Sequence, residues 1–132
     1  MKAFHVGIKG VVRREDGAVL LLKKNSENPF WEIPGGRIDA NETIDETLIR
    51  EINEELPGSN NVQIKRILCA HRLPKDIAPD LSLMLLYFEV SADIPNPVVL
   101  SEEHTDSRWV RSARELEVDG GTKKALEAIF EG

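Results

Sequence analysis

Hydrophobic and polar positions along the chain alternate or cluster over short distances, which is typical of β-strands. Strands are predicted where β-branched and aliphatic residues form short runs: 4–14, 18–24, 61–72, 81–91 and 108–110. The Asp16-Gly17 pair supplies hairpin turn chemistry, so the first two strands are expected to pair as antiparallel neighbours. The run at 81–91 is apolar on both sides and is therefore expected to be central in its sheet.

One internal segment, residues 43–56, carries its apolar positions four apart and predicts an amphipathic helix. Asn41 or Thr43 can cap its start, and the proline and glycine that follow it mark its end. A final helix is predicted at 122–131. The order strands, helix, strands, helix indicates an α+β fold with a mixed sheet, and a single domain over residues 1–132 is expected.

Composition and charge narrow the classes of function. The net charge of −6 disfavours a surface that binds the phosphate backbone of a nucleic acid polymer. The single Cys69 excludes an internal disulfide and is read as a packing residue inside a strand. No apolar run approaches the ~20 residues of a membrane span, and the N-terminus lacks the pattern of a signal peptide. A cytoplasmic protein without a membrane partner is therefore expected.

Three glutamates, Glu51, Glu54 and Glu55, lie three and four residues apart and converge on one side of the predicted helix. Like charges at this spacing disfavour a helix by about 0.2 to 0.5 kcal/mol per pair. A solvated acidic face is the commonest explanation of such a pattern. A divalent cation would remove the repulsion, and carboxylate oxygens favour a hard ion such as Mg²⁺.

The sequence around these glutamates favours the metal site. From Gly36 onward, Glu42 follows after five residues, and Arg50 with Glu51 follows after seven more. This stretch resembles the Nudix box, whose pattern is G-x5-E-x7-R-E-U-x-E-E-x-G-U with U a bulky aliphatic residue. All specified positions from Gly36 to Glu55 match it.

Two departures follow the last glutamate, where the pattern's final glycine and aliphatic positions are Pro57 and Gly58. Gly58 can still adopt the left-handed conformation that ends a helix, so little displacement of the carboxylates is expected. Asn41 occupies a position that is commonly glycine in the family. Since Asn tolerates positive φ, the turn before the helix is expected to survive.

The resemblance implies an α/β/α sandwich with a central mixed β-sheet. It also implies a MutT-like hydrolase that cleaves a pyrophosphate bond in a nucleoside diphosphate linked to another group. Mg²⁺ is the implied cofactor, with Mn²⁺ as a substitute. The alternatives are a nucleotide-binding module of the same fold that does not cleave its ligand and, less well supported, a divalent-ion buffer.

The resemblance also assigns metal ligands, which come from the box and from a later acidic segment: the Gly36 carbonyl, Glu51, Glu54, Glu55 and Glu103. Glu54 is the first choice of base for activating water, with Glu51 and Glu103 as alternatives. If the chain is extended at Glu103, the side chain of Glu102 points away from the ions.

The remaining roles are supporting ones. Arg50 is expected to brace a box carboxylate and is counted with the catalytic residues, and Glu42 and Gly35 are expected to support the site. Arg37 and Trp31 are the candidates for substrate contact, although packing is the commoner role of such a Trp. His104 is read as a loop residue without a role, and Trp109 as a core residue.

The substrate itself is left open among a nucleoside triphosphate, an ADP-ribose-like compound and a dinucleoside polyphosphate. Pro74 lies sixteen residues after Gly58, which resembles a feature of ADP-ribose hydrolases in the family but is also explained by an ordinary polar loop. A small nucleotide is thus the expected partner, and a homodimer is left open.

Overall fold

The computed structural model describes residues 2–131. The strands and helices within them, in chain order, are β1 (Ala3–Val12), β2 (Val19–Lys24), β3 (Trp31–Glu32), β4 (Gly35–Arg37), α1 (Ile44–Glu55), β5 (Asn60–Arg72), β6 (Leu81–Asp93), β7 (His104–Val110) and α2 (Gly120–Glu131). Neither helix is long and apolar enough to cross a membrane.

The strands form two sheets. The first has the order β4-β1-β6-β5, with β1 and β6 parallel and the other two pairs antiparallel. The second is antiparallel, with the order β3-β2-β7. The prediction of a mixed sheet is confirmed, and β6 is central because it lies between β1 and β5.

The predicted pairing of the first two strands is wrong beyond their turn. Arg13 and Val19 form one antiparallel bridge, and the N–H of Arg14 donates to the carbonyl of Ala18. Beyond this point β1 joins the first sheet and β2 the second. The Asp16-Gly17 turn therefore redirects the chain from one sheet to the other.

Successive side chains of a strand point to opposite faces of the sheet, and the buried ones form two hydrophobic clusters, one on each face. Ile8 of β1 and Leu20 of β2 pack with Leu48 and Ile52 of α1. Their neighbours on the other side of the strands, such as Val11, pack in a second cluster with residues of α2. Because the helices cover opposite faces, the architecture is the predicted α/β/α sandwich.

Helix α1 starts at a capping box. The N–H of Glu46 donates to the Thr43 hydroxyl, and the N–H of Thr43 donates to the Glu46 carboxylate, so Thr43 is the N-cap rather than Asn41. The expected positive φ at Asn41 is not observed, since the non-glycine residues with positive φ between positions 2 and 131 are Asn61 and Asp80. Gly58 has φ +87°, as expected for the helix exit.

Several boundaries differ from prediction by one or two residues, and that of β7 differs by four. Strand β7 starts at His104 rather than at residue 108, and α2 starts at Gly120 rather than at 122. His104 is therefore a buried strand residue and not a loop residue. Cys69 lies in β5 as predicted and is half-buried, as is Trp109 of β7.

Candidate active site

Two glycines let the first sheet approach α1 closely. A Cβ at Gly36 would collide with the carboxylate of Glu51. Gly35 has φ +147°, and its N–H donates to Oε2 of Glu55 at 2.8 Å. The short strand β4 thereby holds two box carboxylates against its backbone, which no larger residue at Gly36 would allow.

Arg50 joins the loop before α1 to the helix itself. Its Nε and Nη2 donate to the two oxygens of Glu42 at 2.7 and 2.9 Å, and its Nη1 donates to Oε1 of Glu51 at 2.8 Å. The bond from Arg50 lowers the pKa of Glu42 to about 2, and the two carboxylates raise the pKa of Arg50. Arg50 thus fixes Glu51 in the orientation that faces Gly36.

Glu55 is a buried carboxyl, only 4% exposed. Burial is the main cause that raises its pKa to about 8, and the nearby charges of Glu51 and Glu103 act in the same direction. Lys9 and the Gly35 N–H oppose this shift without cancelling it. The pKa of Glu51 is raised as well, first by burial and further by the charges of Glu54 and Glu103. Four carboxyl groups therefore interact electrostatically at this point: Glu51, Glu54, Glu55 and Glu103.

Glu103 and His104, at the start of β7, complete the cluster from a distant part of the sequence. Ligand atoms of Glu55, Glu103 and His104 all lie within 4.8 Å of one another. His104 Nε2 lies 2.8 Å from Oε2 of Glu32. Burial disfavours ionised Glu32, but the His104 hydrogen bond and the charges of Lys9 and Lys24 outweigh it and lower the pKa of this carboxyl.

Glu54 occupies a more open position than the other box glutamates. Its side chain is 57% exposed, and its Oε2 lies 3.5 Å from Nη1 of Arg50. Glu102 is exposed, and its described contact is a backbone carbonyl that accepts from Asn25. The structure thus brings Glu103, but not Glu102, to the cluster of Glu51 and Glu55.

This donor set fits a hard divalent cation. Glu51, Glu55 and Glu103 offer carboxylate oxygens that repel one another, and Glu55 holds its proton at neutral pH in the absence of a compensating charge. A cation held by these groups would remove both penalties. The sequence pattern identified the glutamates, but it gave no sign that Glu32 and His104 would lie behind them.

A cavity of about 530 Å³ opens beside the cluster, on the face of the first sheet away from α1. Its walls combine residues from β1, β6, the loop after β5 and the start of α2, including Lys9, Leu83, Leu85, Leu73, Pro74 and Thr122. Glu32 and Gly36 line the end next to the acidic cluster. The cavity therefore reaches the acidic cluster through Gly36, which lies against the Glu51 carboxylate, and through Glu32.

The two predicted contact residues differ in their relation to this cavity. Arg37 lines it, whereas Trp31 is not among its lining residues. Trp31 packs against the core cluster that contains Leu126, and the guanidinium of Arg108 lies 5.6 Å from its ring centre. Its chain neighbour Phe30 faces the cavity instead. A substrate role for Trp31 stays a prediction.

Comparisons with known proteins agree with this geometry. A family model described as "NUDIX domain" matches residues 3–128. An 8-oxo-dGTP diphosphatase of Proteus vulgaris is 31% identical over 93 residues, which are 68% of this chain and 78% of that protein. A MutT-like protein of Streptomyces ambofaciens is 42% identical over 50 residues. That match covers 38% of this chain, which spans about a third, 32%, of that relative.

The fold has counterparts among solved structures. The solution structure of the E. coli ORF135 protein superimposes with a TM-score of 0.80 and covers 98% of this chain and 91% of its own. The sequence identity is 20%, so the likeness concerns the fold alone.

The raised pKa of Glu55 predicts that the metal-free protein loses stability as the pH rises. Its folded-state pKa of about 8 exceeds the ordinary value of 4.5, so the unfolded chain ionises first. The contribution of protonated Glu55 to the free energy of unfolding is complete below about pH 4.5 and is lost progressively as the pH rises towards 8. Urea unfolding in the presence of chelator, from pH 5 to 8.5, measures this loss.

The variant Glu55→Gln should flatten this dependence, because a neutral amide replaces the buried carboxyl. Glu127→Gln is the matched control, since Glu127 is exposed on α2. Unfolding free energies of wild type and Glu55→Gln that change in parallel with pH would contradict the assignment.

Proposed function

Since this chain belongs to the NUDIX domain family, we propose that it hydrolyses a pyrophosphate bond in a small nucleotide with the help of Mg²⁺. The observation that carries the proposal is the cluster of Glu51, Glu55 and Glu103 next to Gly36, which lines the cavity. Mn²⁺ is the proposed substitute. The substrate is a nucleoside diphosphate linked to a phosphate, a sugar or a second nucleotide.

The proposed metal ligands are the four electrostatically coupled carboxylates and one adjacent backbone carbonyl: Glu51, Glu54, Glu55, Glu103 and the Gly36 carbonyl. A bound divalent cation supplies positive charge for the phosphate oxygens and lowers the pKa of a coordinated water. Arg50 keeps Glu51 directed at the site, and Glu42 anchors Arg50 through two hydrogen bonds. Gly35 fixes one oxygen of Glu55.

Glu54 is the proposed general base. Its carboxylate is the most open of the three box glutamates and can accept a proton from water without the desolvation that raises the pKa of Glu55. Arg50 Nη1, 3.5 Å away, restrains its position. Glu51 and Glu103 are the alternative bases.

The cavity supports a nucleotide as the bound molecule. Its volume lies in the ordinary range for small-ligand sites, roughly 300 to 1,000 Å³. Leucine side chains, Pro74 and Phe30 offer apolar contact to a base or sugar, and Lys9, Lys24 and Arg37 offer positive charge to phosphates. The apolar walls suit a planar base, and the end that carries both basic and acidic side chains suits the phosphates of a nucleotide with a bound cation.

A nucleotide-binding module without catalysis is the second candidate function. The cavity alone would serve such a module equally well. Catalysis is favoured because the carboxylates are gathered at the cavity's end despite their repulsion, which binding a nucleotide alone does not require. An ion buffer is less well supported, because it would need no cavity.

We expect hydrolysis of at least one nucleotide in a panel that contains Mg²⁺, and no hydrolysis after complete chelation. Glu54→Gln should lower kcat by about 100-fold or more, the usual scale for a lost acid-base group. Mass spectrometry of the products measures turnover, and Glu102→Gln is the control outside the cluster. Full activity with chelator, or in the folded Glu54→Gln variant, would count against these assignments.

Phe30 and Trp31 provide a matched test of the cavity. Phe30→Ala should raise KM on the order of tenfold, because it removes an aromatic face available for stacking on a base. Trp31→Ala removes core packing and should lower the melting temperature more than it changes KM. An increase in KM confined to the Trp31 variant would transfer the contact to Trp31 and reject the cavity as the base site.

A further inference from the structure

His104 lies between two carboxyl groups that come from different elements. Its side chain is 1% exposed, and its Nε2 lies 2.8 Å from Oε2 of Glu32 on β3 and 3.8 Å from Oε1 of Glu55 on α1. Its other nitrogen, Nδ1, is buried and has no hydrogen-bond partner within the described chain. The imidazole is thus hydrogen-bonded at Nε2, whereas Nδ1 has no hydrogen-bond partner within the described chain.

This asymmetry identifies the donor nitrogen of the ring. A buried N–H without an acceptor costs more than a buried lone pair without a donor. The N–H that Glu32 accepts is therefore placed on Nε2.

The hydrogen bond of His104 is part of a series of polar contacts that joins the two sheets. Lys9 Nζ on β1 lies 3.6 Å from Oε1 of Glu32, and it also donates to the carbonyl of Ile33 at 3.1 Å. Glu32 is thus held from both sides, by Lys9 and by His104. Glu55 has one oxygen bound to the Gly35 N–H and the other facing the imidazole.

We propose that His104 is a positioning residue of the metal centre, which fixes Glu32 and packs beside the Glu55 carboxyl without ligating the ion itself. The inference rests on the proposed metal site. The nitrogen that faces Glu55 is Nε2, which Glu32 already uses, so ligation through Nε2 would require breaking a short hydrogen bond and leaving Glu32 with Lys9 alone. Hydrogen-bonded supports of this kind typically change metal affinity by about 10- to 100-fold when removed.

Two variants distinguish the loss of the N–H donor from the loss of the ring's volume. His104→Leu keeps an apolar side chain of similar size and removes the donor, whereas His104→Gln keeps an N–H donor near the position of Nε2. Mn²⁺ binding, followed by electron paramagnetic resonance of the free ion, should weaken about 10-fold or more in His104→Leu. The His104→Gln variant should stay within about threefold of wild type.

Wild-type affinity in a folded His104→Leu protein would overturn the proposal. Electron spin-echo spectroscopy of Mn²⁺ bound to the wild type should show no directly coordinated nitrogen. A directly coordinated nitrogen that disappears in His104→Gln would make His104 a ligand and would also overturn it.

Nitrogen-15 NMR of the wild-type protein keeps the proposal testable if the Leu variant does not fold. The His104 ring should keep its Nε2 proton both with chelator and with saturating Mg²⁺. Loss of the Nε2 proton on Mg²⁺ binding would contradict a positioning role. These readouts do not depend on turnover, so a protein that binds Mn²⁺ as expected but cleaves no nucleotide would reject the proposed function alone.

Discussion

The repulsion among clustered carboxyl groups at the end of α1 is the constraint on which the rest of the site depends. Glu51, Glu54 and Glu55 occupy the last turns of the helix, where the macrodipole also disfavours negative charge and the final turn carries no basic residue. Glu103, the residue before β7, adds a fourth carboxyl group. A fold that served stability alone would not place these groups together, so their compensation must come from elsewhere.

Part of the compensation is built into the protein. Arg50 neutralises Glu42 and Glu51, the Gly35 N–H binds Glu55, and Lys9 lowers the cost of ionising it. These contacts orient the carboxylates but leave the pKa of Glu55 at about 8. The remaining deficit of positive charge is the physical reason why we propose a divalent cation at this point, next to the cavity that Gly36 and Glu32 line.

The sequence predicted the parts of this site that are local. Periodicity located α1, the unbroken apolar run identified β6 as central, and the resemblance of the stretch from Gly36 to Glu55 to the Nudix box indicated carboxylates that the structure brings close together. The separation of β1 and β2 into different sheets was not predicted, because a turn signal specifies the bend but not the later partners of each strand. His104 and the cavity walls were missed for the same reason, since they depend on contacts between distant segments.

The central claim is that a divalent cation completes this cluster of carboxylates, and locating the ion tests it most directly. Anomalous scattering at the manganese absorption edge, from crystals grown with Mn²⁺, gives the ion's position independently of any substrate. We expect a peak within coordination distance of the Glu51 and Glu55 carboxylates, next to Gly36. Crystals with Mn²⁺ bound only elsewhere, and with this cluster empty at saturating Mn²⁺, would contradict the account.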